Sequence, residues 1–262
     1  MYDDLDRPPL RAREVARALA PDGWRVEVLE SVGSTNAVVA ERALMGEPAG
    51  LVVVAESQTA GRGRLDRSWV SPSRAGLTLS VLVRPDLPPC RWPWLPLLTG
   101  LAVATAVREQ TDLDAVLKWP NDVLVGGRKL CGVLAEVPAV GAAVLGIGLN
   151  VTTRADELPH DGATSLALAG AATTDRGTLL RAVLRSLTVA LSDLDAGRLA
   201  YRERCSTIGA SIRLELPGGE SVQGVADAID DDGLLVVSGR AYAAGDVVHL
   251  RPAGPSSKAP AR

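Results

Sequence analysis

The pattern of apolar and polar positions divides the chain into a long part with helix and strand signals and a short part with strand signals alone. Leu51 to Ala55 is a continuous apolar run, and Leu77 to Val83 places apolar residues at every second position, so both segments predict strands. Further strands are predicted over residues 24–29, 116–118, 123–125, 129–137 and 141–151. Apolar residues at helical spacing predict helices over residues 8–20, 37–45, 97–109, 175–194 and 198–205.

The character of the sequence changes near residues 206–211. From Ser211 onward, short strand-like pieces are separated by turn sequences rich in Gly and Asp, which predicts a small β-barrel. The last residues form a Pro/Ser/Ala segment that buries too little apolar surface to fold. We therefore predict a first domain over residues 1–208, a C-terminal barrel over 209–252 and a disordered tail over 253–262.

Composition excludes several classes of protein. A chain of 262 residues that is 47% hydrophobic can build one large core and a small one. The net charge of −3 gives no general attraction to nucleic acid. Three separated cysteines and two histidines argue against disulfides and a zinc site, and no apolar run is long enough for a bilayer. We expect a cytoplasmic protein without a membrane partner.

Residues 56–69, called the Gly-Arg loop below, carry the strongest chemical signal. Two glycines and three arginines fall within residues 61–67, between two predicted strands. Glycine lets backbone N–H groups approach a ligand, and guanidinium groups bind carboxylate or phosphate with two hydrogen bonds. The loop therefore predicts an anion site, and a solvated basic loop without a ligand fits these residues equally well.

Two other candidates have simpler interpretations. Ser34, Thr35 and Asn36 precede a predicted helix, where they could point at a ligand, although capping the helix alone would explain them. Lys129 begins an otherwise apolar strand face, and a lysine at a strand end usually reaches solvent. The chain lacks a phosphate-binding P-loop, an HExxH motif and a GxSxG elbow. Its cations and Asp122 instead suit phosphate-ester and carboxylate chemistry.

Five motifs occur in an order that resembles biotin protein ligases, over roughly residues 24 to 251. The match is more specific than any single motif. The motifs are Gly33-Ser34-Thr35-Asn36, residues 58–69 of the Gly-Arg loop, Lys118-Trp119-Pro120-Asn121-Asp122, Arg128-Lys129-Leu130-Cys131-Gly132 and Gly146-Ile147-Gly148-Leu149-Asn150.

The resemblance implies an α/β (α+β) fold, with a mixed-sheet catalytic domain like that of class II synthetases followed by a small SH3-like barrel. It implies that biotin and Mg-ATP give biotinyl-5'-AMP and pyrophosphate. A lysine on the biotin carboxyl carrier domain of a biotin-dependent carboxylase then accepts the biotinyl group, and AMP leaves. Mg²⁺ is expected to arrive with ATP, and no metal ligand from the protein is assigned.

The resemblance also implies roles for individual residues. The expected catalytic residues are Lys129 at the reacting carboxylate and α-phosphate, Arg64 at the phosphates, and Asp122 at the acceptor amine. The expected biotin contacts are Ser34, Thr35, Asn36, Gln58, Gly61, Arg62, Lys129 and Gly132. The expected nucleotide contacts are Arg62, Arg64, Arg67, Trp69, Lys118, Asn121 and Asn150. The Gly-Arg loop would then cover the adenylate, and we expect it to be mobile when empty because its clustered cations repel each other.

Two residues depart from the family pattern. Asp66 replaces a glycine that many relatives have, and Cys131 replaces a small apolar residue. Ligation of lipoate and a non-catalytic nucleotide-binding module remain alternatives, although the motifs around Lys118 and the Gly-Arg loop argue against lipoate. About 23 residues precede the first predicted strand, too few for a three-helix DNA reader, so we expect a monofunctional ligase without specific DNA binding.

Overall fold

The computed structural model describes residues 7–250. Its helices are α1 Ala12–Leu19, α2 Thr35–Leu44, α3 Trp94–Thr111, α4 Arg176–Ser192 and α5 Leu194–Arg204. The strands of the first sheet are β1 Arg25–Leu29, β2 Leu51–Ala55, β3 Gly76–Val83, β4 Ala115–Lys118, β5 Asp122–Val125, β6 Arg128–Ala139 and β7 Ala142–Asn150. The strands of the second sheet are β8 Ser211–Glu215, β9 Ser221–Ile229, β10 Leu235–Val237, β11 Arg240–Tyr242 and β12 Asp246–His249.

The first sheet is mixed, as expected for the predicted α/β class. Its seven strands follow the order β1-β2-β3-β7-β6-β5-β4. The pair β1 and β2 is parallel, and the other neighbours are antiparallel. The strands predicted over residues 123–125 and 129–137 are present as β5 and β6, which form a hairpin with Gly126 and Gly127 at its turn. Both of these glycines have positive φ angles, which glycine adopts without steric cost.

Helices cover both faces of this sheet. Leu77, Leu79, Val81 and Val83 share one face of β3, as the alternation predicted, and pack in the large core with α1, α3 and α4. Leu82 points the other way, into a smaller core that α2 builds. The strands β2, β3 and β7 are therefore buried along their whole length, which explains why their apolar runs are nearly continuous.

Helix boundaries differ from the predicted ones by a few residues. The first helix begins at Ala12 rather than residue 8. A residue that precedes proline is disfavoured in the helical region, so Pro8, which precedes Pro9, does not start the helix. Helix α3 begins earlier than predicted, at Trp94. Asp175 is the N-cap of α4, since its side chain accepts a hydrogen bond from the N–H of Thr178.

The C-terminal strands form an antiparallel sheet in the order β11-β10-β9-β8-β12. Within residues 7–250, its two edge strands do not pair with each other, so the predicted barrel takes the form of an open five-stranded sheet. The strand β11 was not predicted, because its three residues are too short to show alternation. The domain boundary at 208/209 stays a prediction, and the predicted disordered tail, 253–262, lies outside the described residues.

The second sheet packs directly on the first part of the chain. Its apolar residues, including Ile212 and Leu214, belong to the same continuous core as α3 and α4. The indole N–H of Trp119 donates to the carbonyl of Gly233 at 3.2 Å, and that of Trp94 donates to the carbonyl of Asp231 at 3.0 Å. These contacts hold the C-terminal sheet beside the edge where β4 and β5 meet. Within the described residues, none of the helices has the length and apolar character needed to cross a bilayer.

A buried ion pair joins three segments at the base of the Gly-Arg loop. Glu56 directly follows β2, and its Oε2 lies 2.6 Å from Nη1 of Arg176 in α4. The other carboxylate oxygen accepts the N–H of Leu10 at 2.6 Å, and Arg176 donates to the carbonyl of Pro8 at 2.7 Å. The pair thus fixes the segment before α1, the end of β2 and the start of α4.

Replacing Glu56 with glutamine should destabilise the protein by about 3–5 kcal/mol, because it leaves the Arg176 charge buried without its counter-ion. The free energy of urea unfolding measures this change. Glu215→Gln, which breaks the exposed pair with Arg213, is the matched control and should cost less than about 1 kcal/mol. Equal effects of the two substitutions would contradict the structural role of the buried pair.

Candidate active site

A cavity of about 310 Å³ lies between the Gly-Arg loop, the start of α2 and the strands β5, β6 and β7. Most of the predicted site residues line it. These are Ser34, Thr35, Asn36, Gln58, Arg62, Arg64, Arg67, Trp69, Asn121, Asp122, Lys129, Gly132 and Asn150. Gly61 and Lys118 do not line the cavity. A Cβ atom at Gly61 would lie 2.3 Å from the carbonyl oxygen of Trp69, so this glycine lets the two ends of the loop meet.

Glycines on β6 and β7 form the floor of the cavity. Gly132 and Gly148 are partners in the ladder, and Gly146 lies opposite Leu134. A Cβ atom at Gly146 would lie 2.2 Å from Oδ1 of Asn36, and one at Gly148 would lie 2.4 Å from Cε2 of Trp69. The floor therefore has no side chains at the points where Asn36 and Trp69 lie against the sheet.

Helix α2 is capped by the Gly-Arg loop and not by its own N-cap side chain. Ser34 occupies the N-cap position but makes no side-chain cap hydrogen bond. The N–H of Thr35 donates instead to Oε1 of Gln58 at 2.8 Å. The interpretation that Ser34 only caps the helix is therefore wrong, and its buried side chain lines the cavity.

The side chain of Asn36 is held by hydrogen bonds to two strands, β3 and β6. Its Oδ1 accepts from the hydroxyl of Ser80 on β3 at 2.5 Å. Its Nδ2 donates to Oε2 of Glu136 at 2.7 Å and, more weakly, to the carbonyl of Leu134 at 3.4 Å. Both N–H donors of Asn36 are therefore used within the protein, although the side chain borders the cavity.

Each arginine of the Gly-Arg loop faces an oxygen atom of the protein. Nη2 of Arg62 lies 2.6 Å from both carboxylate oxygens of Glu136. Arg64 donates to Oδ1 of Asn121 at 3.0 Å and lies 3.8 Å from Asp246, which also pairs with Arg67. Mutual repulsion among the three cations is thus offset, and the mobility of the loop stays a prediction.

Burial lowers the pKa of Arg64 without removing its charge. Its partial removal from water lowers the pKa of the Arg64 guanidinium, while the nearby carboxylates of Asp246 and Asp122 act in the opposite direction. Arginine is effectively always protonated in proteins, so Arg64 keeps its positive charge. A buried cation is less screened by water than an exposed one and attracts an anionic ligand more strongly.

The turn of the Gly-Arg loop explains the first departure from the family pattern. Leu65 and Asp66 have φ angles of 54° and 57°, in the left-handed region that favours glycine. Aspartate is among the non-glycine residues that adopt this region most readily. Asp66 can therefore replace glycine in this turn.

The second departure, Cys131, lies in the core beneath the cavity. It is fully buried, and burial raises the pKa of its thiol to about 12. Cys131 is accordingly a small apolar core residue that stays protonated at neutral pH.

Lys129 and Asp122 form an ion pair within the cavity, with 2.6 Å between Nζ and Oδ1. The backbone of Lys129 is fixed by its N–H, which donates to Gly162 at 2.8 Å, and by its carbonyl, which accepts from Thr164 at 2.8 Å. The simpler interpretation of a lysine that only reaches solvent is therefore wrong. Lys118 lies opposite Asp122 in the ladder, and burial lowers the pKa of its ammonium group.

The two asparagines of the predicted nucleotide site are also fixed. Nδ2 of Asn121 donates to the carbonyl of Val133 at 2.9 Å, and Nδ2 of Asn150 donates to that of Thr164 at 2.9 Å. Their amide orientation follows from these acceptors. Within residues 7–250, no group of three or more His, Cys, Asp or Glu residues could hold a metal ion.

The structure adds residues that sequence reasoning did not assign to the site. Asp246 and His160 line the cavity, and Glu136 pairs with two residues that line it. Asp246 lies 179 positions from its partner Arg67, so no local pattern could have linked them. Glu136 lies in β6 beside the exposed Val137, and an acidic residue next to an exposed position does not by itself indicate a functional site.

Two known sequence families match this chain. The Biotin/lipoate A/B protein ligase family matches residues 28–151, and the Biotin protein ligase C terminal domain matches residues 207–250. A biotin--[acetyl-CoA-carboxylase] ligase of Mycobacterium tuberculosis is 46% identical over 95% of this chain and 98% of its own length. The bifunctional ligase/repressor BirA of Escherichia coli is 32% identical over 87% of this chain and 73% of its own length.

Solved structures with the same fold include complexes with small molecules. The biotin protein ligase of Aquifex aeolicus in complex with biotin and ATP superposes with a TM-score of 0.70, at 27% identity, over 87% of this chain and 99% of that chain. The biotin protein ligase of Leishmania major in complex with biotinyl-5-AMP gives a TM-score of 0.62, at 29% identity, over 87% of this chain and 98% of that chain.

Gly148→Ala should displace the Trp69 indole from the cavity floor, because the added Cβ would lie 2.4 Å from it. We expect the unfolding free energy to fall by about 1–3 kcal/mol, the usual cost of adding a methyl group to a well-packed protein interior. We also expect acrylamide to quench the tryptophan fluorescence more strongly. Gly177→Ala, in α4 with no neighbour closer than 3.5 Å, should show neither change. Unchanged quenching in Gly148→Ala would contradict the contact.

Proposed function

Because the chain belongs to the biotin protein ligase family, we propose that it attaches biotin to a lysine of a biotin carboxyl carrier domain through biotinyl-5'-AMP. The observation that carries the proposal is the convergence of Lys129, Arg64 and Asp122 on one glycine-floored cavity. In the first step, a carboxylate oxygen of biotin attacks the α-phosphorus of ATP and pyrophosphate leaves. In the second step, the acceptor amine attacks the acyl carbon and AMP leaves.

The first step brings two anions together, so it requires cations near the reacting atoms. We propose that Lys129 contacts the biotin carboxylate and the α-phosphate, and that Arg64 and Arg67 bind the phosphate oxygens. The ion pair of Lys129 with Asp122 supports this role, since it holds the ammonium group inside the cavity. A carboxylate of biotin would approach the same ammonium group from the open side.

For biotin, we propose that Ser34, Thr35 and Gln58 hydrogen-bond the polar ring, with Gly132 below it. The close contact between Thr35 and Gln58 supports a shared polar subsite at the start of α2. For the nucleotide, we propose that Trp69 packs beside the adenylate. The side chains of Asn121 and Asn150 bind its polar groups.

The second step needs a neutral amine as the nucleophile. A lysine with the ordinary pKa near 10.4 is neutral in only about four molecules per ten thousand at pH 7. We propose that Asp122 orients this amine or accepts its proton. Its carboxylate lines the cavity and lies 2.6 Å from the ammonium group of Lys129, which supports this role.

We propose that Mg²⁺ enters with ATP. Magnesium usually keeps several waters and binds one or two protein oxygens together with substrate phosphates. The side-chain oxygen of Asn121, which borders the cavity beside the arginines, is the protein donor that would help to hold such an ion. When bound, the ion would offset phosphate charge.

The direct test of this function is transfer of labelled biotin to a purified biotin carboxyl carrier domain in the presence of Mg-ATP. We expect labelled carrier together with biotin-dependent exchange of pyrophosphate into ATP. Exchange that depends on lipoate and not on biotin would favour the lipoate alternative. Nucleotide binding without label on any acceptor would favour a non-catalytic module.

The absence of specific DNA binding stays a prediction, since some relatives are ligase/repressors. Fluorescence anisotropy with operator fragments from upstream of biotin-related genes tests it. Tight, sequence-specific binding that weakens with salt would contradict the prediction.

Lys129→Ala should abolish formation of biotinyl-5'-AMP while leaving the protein folded, because it removes the cation nearest the proposed reaction centre. Biotin-dependent pyrophosphate exchange measures the effect. Arg128→Ala changes the exposed neighbouring cation and should leave exchange near the unmodified rate. Near-normal exchange in Lys129→Ala would exclude the proposed role of Lys129.

A further inference from the structure

Glu136 connects two parts of the site without lining the cavity itself. It lies in β6 opposite Val144, and its carboxylate is about one-third exposed. One side of the carboxylate accepts the amide N–H of Asn36, beside the proposed biotin subsite. Both oxygens also accept from Nη2 of Arg62, in the Gly-Arg loop.

On the side of the biotin subsite, the connection is rigid. Asn36 is 4% exposed and is wedged against Gly146, where a Cβ atom would overlap its Oδ1. The hydroxyl of Ser80 donates to that same oxygen, which fixes the amide with its Nδ2 toward Glu136. The carboxylate is therefore held at one end by a side chain that has little freedom to move.

On the side of the loop, the connection fixes more than one residue. Arg62 forms a backbone bridge with Ser68, and the N–H of Trp69 donates to the carbonyl of Gly61 at 2.9 Å. The two ends of the loop's turn are thus joined beside Arg62. Anchoring Arg62 anchors the Trp69 indole on the cavity floor as well.

The charges favour a permanent pair over an exchangeable one. An unpaired carboxylate at position 136 would repel an anionic adenylate in the adjacent cavity. Arg62 cancels this charge while it stays on Glu136. Arg64, Arg67 and Lys129 remain to bind the phosphate and carboxylate groups.

We propose that Glu136 is a positioning residue that anchors the closed Gly-Arg loop to the biotin subsite through Arg62. The inference rests on the proposed function for the identity of the bound adenylate. It assigns Arg62 chiefly to holding the loop, and it predicts that losing the Glu136 charge loosens the loop and lets the intermediate escape.

The test compares Glu136→Gln with Glu27→Gln in the full chain. The Glu136→Gln substitution keeps an oxygen acceptor for Asn36 but removes the charge that pairs with Arg62. Glu27→Gln is a matched control, because Glu27 also places both carboxylate oxygens near a single Arg42 nitrogen, at 3.4 and 3.3 Å, away from the cavity.

The first readout is the rate of trypsin cleavage after Arg64 and Arg67, which requires no catalysis. We expect Glu136→Gln to accelerate this cleavage about two- to fivefold, the range for loss of one half-exposed ion pair, and Glu27→Gln to leave it unchanged. In an Arg62→Met background, Glu136→Gln should add no further acceleration. Arg62→Met alone breaks the same ion pair and should accelerate cleavage to the same extent. It replaces Glu136→Gln as the test variant if Glu136→Gln does not fold.

The second readout is the rate at which biotinyl-5'-AMP leaves the protein. We expect faster release in Glu136→Gln by a similar factor, with little change in the KM for biotin, which separates loss of the anchor from damage to the biotin subsite. Unaltered cleavage, or an equal effect of Glu136→Gln with and without Arg62, would overturn the proposal. Failure of the unmodified chain to form biotinyl-5'-AMP would refute the proposed function, while the cleavage readout would still decide on the anchor.

Discussion

The site depends on a single steric constraint, the absence of side chains on the part of the central sheet that forms its floor. Gly132, Gly146 and Gly148 lie on two adjacent antiparallel strands, and larger residues at the last two would overlap Asn36 and Trp69. The strand β7, which carries these two glycines, is buried along its whole length and cannot shift to make room. The proposed biotin subsite and the loop therefore meet at a sheet surface whose shape is set by the backbone.

Electrostatic balance is the second feature that organises the site. Lys129, Arg62 and Arg67 each pair with a carboxylate from a different strand. Such pairs hold flexible cationic side chains in place before an anion arrives, which lowers the entropy lost on binding. They also divide the cations by role. The pair of Arg62 can stay intact, because Glu136 does not line the cavity, while Lys129 and Arg67 turn toward substrate.

The sequence predicted what is encoded locally and missed what arises from distant segments. The Gly-Arg loop, the hairpin carrying Lys129 and the paired core strands are each recognisable from consecutive residues, and the structure brings most of the proposed site residues to one cavity. Local pattern suggested that Ser34 caps α2, whereas Gln58, from another segment, does so. The contacts of Asp246 and Glu136 with the loop depend on tertiary packing, which a single sequence does not display. The open form of the C-terminal sheet was not predicted either, because its edge strands are too short to show a periodic pattern.

The proposed function requires that the carboxylate of biotin be activated at the α-phosphorus of ATP within this cavity. The most direct measurement uses biotin labelled with ¹⁸O in both carboxylate oxygens and follows the label by mass spectrometry after complete transfer to a carrier domain. Activation at phosphorus predicts one labelled oxygen in the phosphate of AMP, because the oxygen that attacks phosphorus leaves with AMP when the amine attacks carbon. Label in pyrophosphate or inorganic phosphate, with none in AMP, would contradict it.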